Sequence, residues 1–238
     1  MLKIEMKKLK VTNLLITILV IPLLANIFGL INFMGNRELL TNSWKSLWTQ
    51  VSLFYFMFFL TPLIAIIVST LWSVEHKAGL KLIRICPIKN IKFIIAKAFI
   101  SFILIAIAQF YFLFLFIIFG KFICGFKEIN LNLYIYYIIL SILFSIPIII
   151  IMSFVNIKIK SLGISVLISV MISIAGFAMR AQNIFPLLQN IFALSNLGIK
   201  MNNFEILNFS EAIKIFVFGI LEVTIFLRLS QKSLQYED

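Results

Sequence analysis

The sequence has few charged residues and few residues with special chemistry. Only 13% of its 238 residues are charged, and it contains nine glycines, two cysteines and one histidine. An ordinary soluble domain carries about 25% charged residues, so this chain has too little polar surface to enclose a water-soluble core. The low charge therefore excludes an ordinary soluble protein.

The missing motifs argue against an enzyme. There is no G-x-x-x-x-G-K-[ST] phosphate loop and no H-E-x-x-H zinc motif, and a single histidine leaves no convincing Ser-His-Asp set. His76 has no cysteine or carboxylate cluster near it in sequence, so we expect an exposed loop histidine and no metal site. We expect no nucleotide hydrolysis by this chain itself.

What the sequence does contain is hydrophobic residues, which make up 62% of it. They fall into blocks of about 20 residues, the length that crosses roughly 30 Å of hydrocarbon as a helix. The sequence therefore predicts an all-α membrane protein with a single transmembrane domain over residues 1–238. The six predicted spans are Val11–Met34, Trp48–Trp72, Phe93–Phe119, Leu133–Val155, Leu162–Met179 and Ala212–Leu229.

The distribution of the 21 basic residues predicts the orientation. With the N-terminus in the cytoplasm, 14 of the 21 fall on the cytoplasmic side and seven on the other, as the positive-inside rule expects. Six spans then return the C-terminus to the cytoplasm. The first block is too long for a signal-peptide core, so we interpret it as a retained anchor. Cys86 and Cys124 fall on opposite sides, so no disulfide is expected. The cytoplasmic basic residues are Lys3, Lys7, Lys8, Lys10, Lys77, Lys81, Arg84, Lys89, Lys92, Lys97, Lys158, Lys160, Arg228 and Lys232.

The longest and most basic cytoplasmic connection runs from Glu75 to Lys97. Leu80, Ile83 and Pro87 recur at spacings of three and four, as in a short helix that lies along the membrane surface. One interpretation is a basic helix resting on anionic headgroups. The other is a helix offered to a cytoplasmic partner, with its apolar face in a groove of that partner.

This connection resembles a stretch of the type-2 ABC exporter permeases. The resemblance rests on an E-x3-G-x7-P-[IV] pattern followed by a lysine, formed by Glu75, Gly79, Pro87, Ile88 and Lys97. The small size, short loops and Lys/Ile/Phe/Asn-rich composition further resemble the permease subunits of lantibiotic immunity transporters of low-GC Gram-positive bacteria. The resemblance implies a type-2 ABC exporter permease-like fold of six helices with both termini cytoplasmic.

The resemblance also implies partners. It implies a cytoplasmic dimer of ABC ATPase subunits, which would bind ATP and Mg, and a second permease subunit that is a paralogue. No cofactor is expected on this chain, and no nucleic acid is expected as a partner. The implied substrate is a lantibiotic or other antimicrobial peptide, so that the activity is immunity or antibiotic resistance. The implied coupling helix covers residues 75–87, with ATPase-coupling residues Glu75, Gly79, Leu80, Lys81, Leu82, Ile83, Arg84, Ile85 and Pro87.

A stripe of serines runs along the fifth span. Serines recur at every fourth residue from Ser161 to Ser173, which gives a helix one small, polar face. This face has two interpretations, packing within the subunit or contact between subunits. The second draws on the resemblance, in which the first and fifth spans meet across the subunit interface. The candidate interface residues are Asn13, Thr17, Ser165, Ser169 and Ser173.

The remaining candidates are spread over several parts of the chain. Glu222 is an ionisable residue near the middle of the sixth span and is a possible substrate or gating residue; local packing is the alternative. Lys97 and Arg228 lie near span ends and are expected to snorkel to the headgroups. Residues 184–210 contain an apolar run too short to cross, which predicts an outer re-entrant hairpin.

The sequence is compatible with three functions. The first is a permease for lantibiotics or other antimicrobial peptides. The second is an ABC permease for another hydrophobic substrate or toxin, and the third is a membrane scaffold or channel without an energy source.

Overall fold

The computed structural model describes residues 2–8, 11–77, 80, 83 and 89–235, and for residues 3, 4, 11 and 13 it describes the backbone alone. Throughout these ranges the regular structure is helical, without strands. The α-helices are α1 (Leu2–Lys7), α2 (Val11–Gly35), α3 (Ser43–Phe54), α4 (Leu60–Lys77), α5 (Asn90–Ile118), α6 (Asn132–Lys158), α7 (Leu162–Ala181), α8 (Ala193–Asn203) and α9 (Phe209–Ser233).

Five helical segments of the described chain are long and apolar enough to cross a membrane. They are Leu14–Gly35, Ser43–Lys77, Asn90–Ile123, Asn132–Lys158 and Leu162–Ala181. The predicted sixth span lies in α9, a helix of 25 residues. Because Lys214, Glu222 and Arg228 interrupt its apolar residues, α9 does not contain a comparably apolar stretch.

Two of the long segments contain a π-helical turn. Tyr55–Phe59 joins α3 to α4 without a break, and Phe119–Ile123 extends α5. The second turn lets Gly120 approach the Trp44 ring so closely that a Cβ at this position would overlap the ring. A glycine is therefore needed there for packing and not for its backbone freedom.

The continuous helix of α3 and α4 forms the centre of the bundle, and aromatic side chains fill the space around it. Trp48 packs edge-on against Tyr134 and Phe116, with ring centroids 4.9 and 5.1 Å apart. Tyr55 stacks on Phe112 at 4.1 Å. These rings are buried, and such aromatic pairs add about 0.5–1.5 kcal/mol each beyond the area they bury.

The helices alternate in direction, so the bundle has two distinct ends. We call the end that contains α1, the end of α4 and the start of α5 the basal end. The other end, which we call the distal end, contains the loop after α2, a 3₁₀ turn at Leu188–Ile191 and α8. The segment predicted as a re-entrant hairpin is thus a 3₁₀ turn followed by α8, which packs against α3, α6 and α7.

Candidate functional site at the basal end

A buried cluster of four charged side chains joins three helices at the basal end. The Lys97 ammonium lies 2.5 Å from Glu5 Oε2 and 3.1 Å from Glu75 Oε1. It also donates a hydrogen bond of 3.0 Å to the carbonyl of Leu71. Lys8 completes the cluster at 2.9 Å from both carboxylates. We call these residues the ion cluster.

The members of the ion cluster come from three separate parts of the chain. Glu5 and Lys8 belong to α1 and the turn that follows it, Glu75 to the last turn of α4, and Lys97 to the third turn of α5. A carboxylate at the C-terminal end of a helix is unfavourable because the partial charge of that end is negative. The two neighbouring ammonium groups offset this cost at Glu75.

The ion cluster is electrically balanced. Glu5, Glu75 and Lys97 are each at most 2% exposed, and burying a single unpaired charge would cost several kcal/mol. Two carboxylates and two ammonium groups sum to zero charge, and each of the four has an opposite charge within hydrogen-bond distance. Burial acts to lower the pKa of Lys8, but its hydrogen bonds to Glu75 and Glu5 outweigh burial and raise the pKa above 10.5. Lys8 therefore stays charged.

The structure corrects the expectation that Lys97 snorkels to the headgroups. Its side chain instead points into the bundle, where the ammonium also lies over the Trp72 ring, 5.4 Å from the centroid. Two carboxylates and an aromatic face attract the ammonium more strongly than the membrane surface does, because they are already desolvated. Arg228, for which the same was expected, is exposed.

His76 is likewise not the exposed loop residue that was expected. It lies in the last turn of α4, partly buried, and its Nε2 hydrogen-bonds with the carbonyl of Asn156 on α6. The Asn156 side chain in turn accepts a 2.8 Å hydrogen bond from the Ser165 hydroxyl on α7. This chain of contacts ties α4, α6 and α7 together, beginning at the residue that follows Glu75 of the ion cluster.

The predicted ATPase-coupling residues begin beside the ion cluster. The N–H of Leu80 donates a 3.0 Å hydrogen bond to the carbonyl of Glu75, which closes the end of α4. Leu80 and Ile83 are buried in the core of the bundle, so their side chains anchor this segment to it. Gly79, Lys81, Leu82, Arg84, Ile85 and Pro87 lie outside the described residues, as does Cys86.

The serine stripe faces the inside of its own chain. Ser165, Ser169 and Ser173 are buried, and α7 packs on α4. These three serines therefore pack within their own chain, and a contact of this helix with a second subunit stays a prediction. Thr17 is partly buried on α2, and the side chain of Asn13 lies outside the description.

Glu222 is buried on α9, and its Oε2 has no hydrogen-bond partner among the described residues. Cys124 is a buried free thiol. The described residues contain no group of three or more His, Cys, Asp or Glu that could hold a metal ion.

Sequence reasoning identified Glu75 and Lys97 but missed Glu5 and Lys8. A signal was present, because Glu5 is the only acidic residue before Glu38 and stands among six basic and apolar neighbours. A single carboxylate in a basic segment indicates a specific partner for it, but the partner is 92 residues away in the chain. A pattern among neighbouring residues cannot identify a partner that lies so far away in the chain.

A bundle of membrane-length helices, held together at one end by a buried ion cluster, defines a multi-pass helical membrane protein. The sequence model of the ABC-2 family transporter proteins matches residues 1–176 of the 238. The chain therefore belongs to the ABC-2 family. Membership makes it the membrane-spanning subunit of a transporter, a subunit type that is generally non-catalytic and associates with an ABC ATPase.

The match includes the ion cluster and the first four of the five candidate spans, and it ends within α7. The segment with α8 and α9 lies beyond it. No curated protein and no solved structure matches the chain.

Proposed function

We propose that this chain is the permease subunit of an ATP-driven exporter with six spans and both termini in the cytoplasm. Membership of the ABC-2 family supports the permease assignment. The excess of basic residues near the basal end supports a cytoplasmic location for that end. In this proposal α9 is the sixth span, since its 25 residues correspond to about 37 Å of helix.

The observation that carries the proposal is the position of the ion cluster directly before residues 78–88. Glu75 anchors the end of α4 to α5 through Lys97 and to α1 through Lys8. An ATPase bound to this segment would move all three elements together. ATP then drives transport if the open and closed ATPase dimers favour different positions of the anchored helices.

Co-purification with the partner ATPase tests the docking site. Changing Leu82 and Ile83 together would confuse docking with folding, because Ile83 is buried. We therefore choose L82D alone, which should abolish co-purification while the permease still inserts into the membrane at the wild-type level. The matched control is I206D, at an exposed isoleucine of the distal end, which should leave co-purification intact. Wild-type recovery of the ATPase with L82D would contradict the assignment.

We propose lantibiotics or other antimicrobial peptides as the substrate class. The support is the resemblance in size, short loops and composition to lantibiotic immunity permeases. Cells lacking the permease and its ATPase should become sensitive to such peptides, and the wild-type pair should restore resistance whereas a pair with a hydrolysis-deficient ATPase should not. Unchanged sensitivity combined with intact ATPase co-purification would favour another hydrophobic substrate or toxin. Unchanged sensitivity without ATPase co-purification would favour a scaffold or channel without an energy source.

We propose that the second permease subunit is a paralogue and that the first and fifth spans form the contact with it. The first and fifth spans flank the π-helical turn, where Phe28 of α2 stacks on Phe59 and Phe177 of α7 contacts Phe58. Phe58 is exposed, so we place the subunit contact here. A cysteine at Phe58 should crosslink between subunits, and one at exposed Phe110 of α5 should not.

Glu222 is proposed as a gating or substrate residue because its carboxylate is buried without a described partner. E222Q keeps the shape of the side chain and removes its ability to ionise. It should lower peptide resistance without lowering the amount of permease in the membrane. Wild-type resistance with E222Q would leave packing as the role of Glu222.

A further inference from the structure

A long apolar groove opens on the outside of the bundle between α5, α6 and α9. One part, with a cavity volume of about 300 Å³, is lined by residues that include Ile95, Phe99 and Leu227. A second part, of about 270 Å³, continues toward Ile215. Both parts are lined by Ile146 and Val223, so they form one groove. Its one polar lining side chain, Thr224, donates its hydroxyl to the carbonyl of Ile220 within α9.

The length of the groove fits a lipid chain better than a compact solute. From Ile215 to Leu227 the groove follows α9 for twelve residues, which is about 18 Å at 1.5 Å per residue. One leaflet of hydrocarbon is half of roughly 30 Å. The groove is therefore about as long as one leaflet is thick, and it lies at membrane depth.

The three helices that line the groove carry exposed cations near their basal ends. These cations are Lys92 on α5, Lys158 on α6, and Arg228 and Lys232 on α9. A hydrogen bond of 3.1 Å from the Asn90 side chain to the carbonyl of Leu234 holds the basal ends of α5 and α9 at the same level. None of these four cations has a side-chain hydrogen-bond or ion-pair partner in the described part of the chain.

The acidic residues of the described basal end cannot neutralise these cations. They are Glu5 and Glu75, and both are buried and bonded within the ion cluster. Glu237 and Asp238 lie outside the described residues. The mouth of the groove therefore presents a positive field that attracts an anionic headgroup and repels a cationic peptide.

We infer that the groove between α5, α6 and α9 binds one anionic phospholipid, with an acyl chain along Val223 and the phosphate near Lys92, Lys158 and Arg228. Binding would fasten α9 to α5 and α6 through a bound lipid. The inference does not depend on which substrate the transporter carries.

Native mass spectrometry of the purified permease, with phosphatidylglycerol or phosphatidylcholine added, tests the site. Wild type should retain one phosphatidylglycerol in preference to phosphatidylcholine. Each cation near the headgroup contributes an attraction that corresponds to about fivefold in affinity. K92Q should therefore weaken retention about fivefold, and K92Q/R228Q on the order of 25-fold. The control K127Q, at an exposed distal lysine, should leave retention unchanged.

A second pair of variants tests the groove without changing charge. V223W fills the part that both cavities share and should abolish retention, whereas L167W, on the exposed face of α7, should not. If V223W fails to fold, I220W replaces it, because Ile220 is an exposed lining residue. Wild-type retention by K92Q/R228Q, or by the filled groove, would overturn the inference. So would equal retention of the two lipids by wild type, or retention of an antimicrobial peptide in place of phosphatidylglycerol.

Discussion

Lys97 is the residue on which the basal end depends most, because its buried ammonium group contacts both buried carboxylates. Removing one partner of a buried ion pair typically costs about 3–5 kcal/mol, since a charge is left buried without compensation. Removing a balanced pair costs less. The ion cluster therefore predicts a specific pattern of coupling between substitutions.

We expect K97M to lower the free energy of unfolding in detergent by about 3–5 kcal/mol. E5Q/K97M, which again leaves one carboxylate and one ammonium, should recover part of this loss. The matched control is K121M, at an exposed lysine of the distal end, and it should change stability by less than about 0.5 kcal/mol. Additive losses in E5Q/K97M would mean that the two groups do not act as a pair.

Two buried glutamines, Gln109 and Gln189, differ in whether their side-chain amides are hydrogen-bonded. Neither amide atom of Gln109 has a hydrogen-bond partner among the described residues. The Gln189 amide accepts from Arg180 at 2.9 Å and donates to three acceptors, the carbonyls of Met179 and Ile184 and the side chain of Asn183. Both side chains are at most 2% exposed.

We expect Q109L to raise the thermal unfolding temperature, because an unsatisfied buried polar group costs about 1–3 kcal/mol. Q189L should lower it, because the partners of the amide lose their bonds. If Q109L raises stability while transport falls, the amide of Gln109 serves transport and not packing. Destabilisation by Q109L equal to that by Q189L would show that Gln109 has partners after all.

At the scale of elements, α8 and α9 are joined across the distal end by one lysine. Lys200 lies 2.8 Å from Glu205 and 3.0 Å from Glu211. The side chain of Glu211 also accepts from the Asn208 backbone N–H, which caps the start of α9. These contacts hold α9 to a segment that follows the matched family region.

The distal ion pairs make the stability depend on pH. The hydrogen bond from Lys200 lowers the pKa of Glu205 below 4.5. At Glu211 burial acts to raise the pKa, but the hydrogen bonds from Lys200 and Asn208 outweigh it and the pKa is lowered. A lowered carboxyl pKa gives stability that is present above about pH 4.5 and is lost as the pH falls below it. Hydrogen bonding to Glu205 raises the pKa of Lys200 above 10.5, so its contribution is lost only at higher pH.

We therefore expect the thermal unfolding temperature to fall between pH 6 and pH 3, and to fall by less in K200M. Because protonation elsewhere also changes with pH, the informative quantity is the difference between wild type and K200M at each pH. The control is K127M, at another exposed distal lysine, which should follow wild type. A difference between wild type and K200M that stays constant over this pH range would contradict the pairing.

At the scale of the whole molecule, the position of α9 decides whether the chain has five or six spans. If α9 crosses the membrane, residues 127 and 235 lie on opposite sides. If it does not cross, they lie on the same side. Lys127, Lys158 and Gln235 are all exposed, so each can be replaced by cysteine for labelling.

In a C86S/C124S background, K127C should react with an impermeant thiol reagent in intact cells. K158C and Q235C should react only after the cells are permeabilised. Reaction of Q235C in intact cells would contradict six spans. Reaction of K158C in intact cells together with protection of K127C would reverse the orientation.

The sequence was sufficient to predict an all-helical membrane protein, with helices near each expected apolar block. Hydropathy and length are properties of single segments, so they can be evaluated without a fold. The same holds for the distribution of basic residues, which suggests an orientation. The resemblance around Glu75 pointed to the family to which the chain belongs.

The environment of each polar residue could not be predicted in this way, because it depends on which helices become neighbours. Lys97 follows a basic loop in sequence, yet it meets Glu5, which lies before the first span. The sequence shows that the serines share one face of a helix, but only the fold shows that they are buried where α7 packs on α4. Segment composition sets which helices form and enter the membrane, whereas the pairing of buried charges and hydroxyls follows from long-range packing, which a local pattern does not encode.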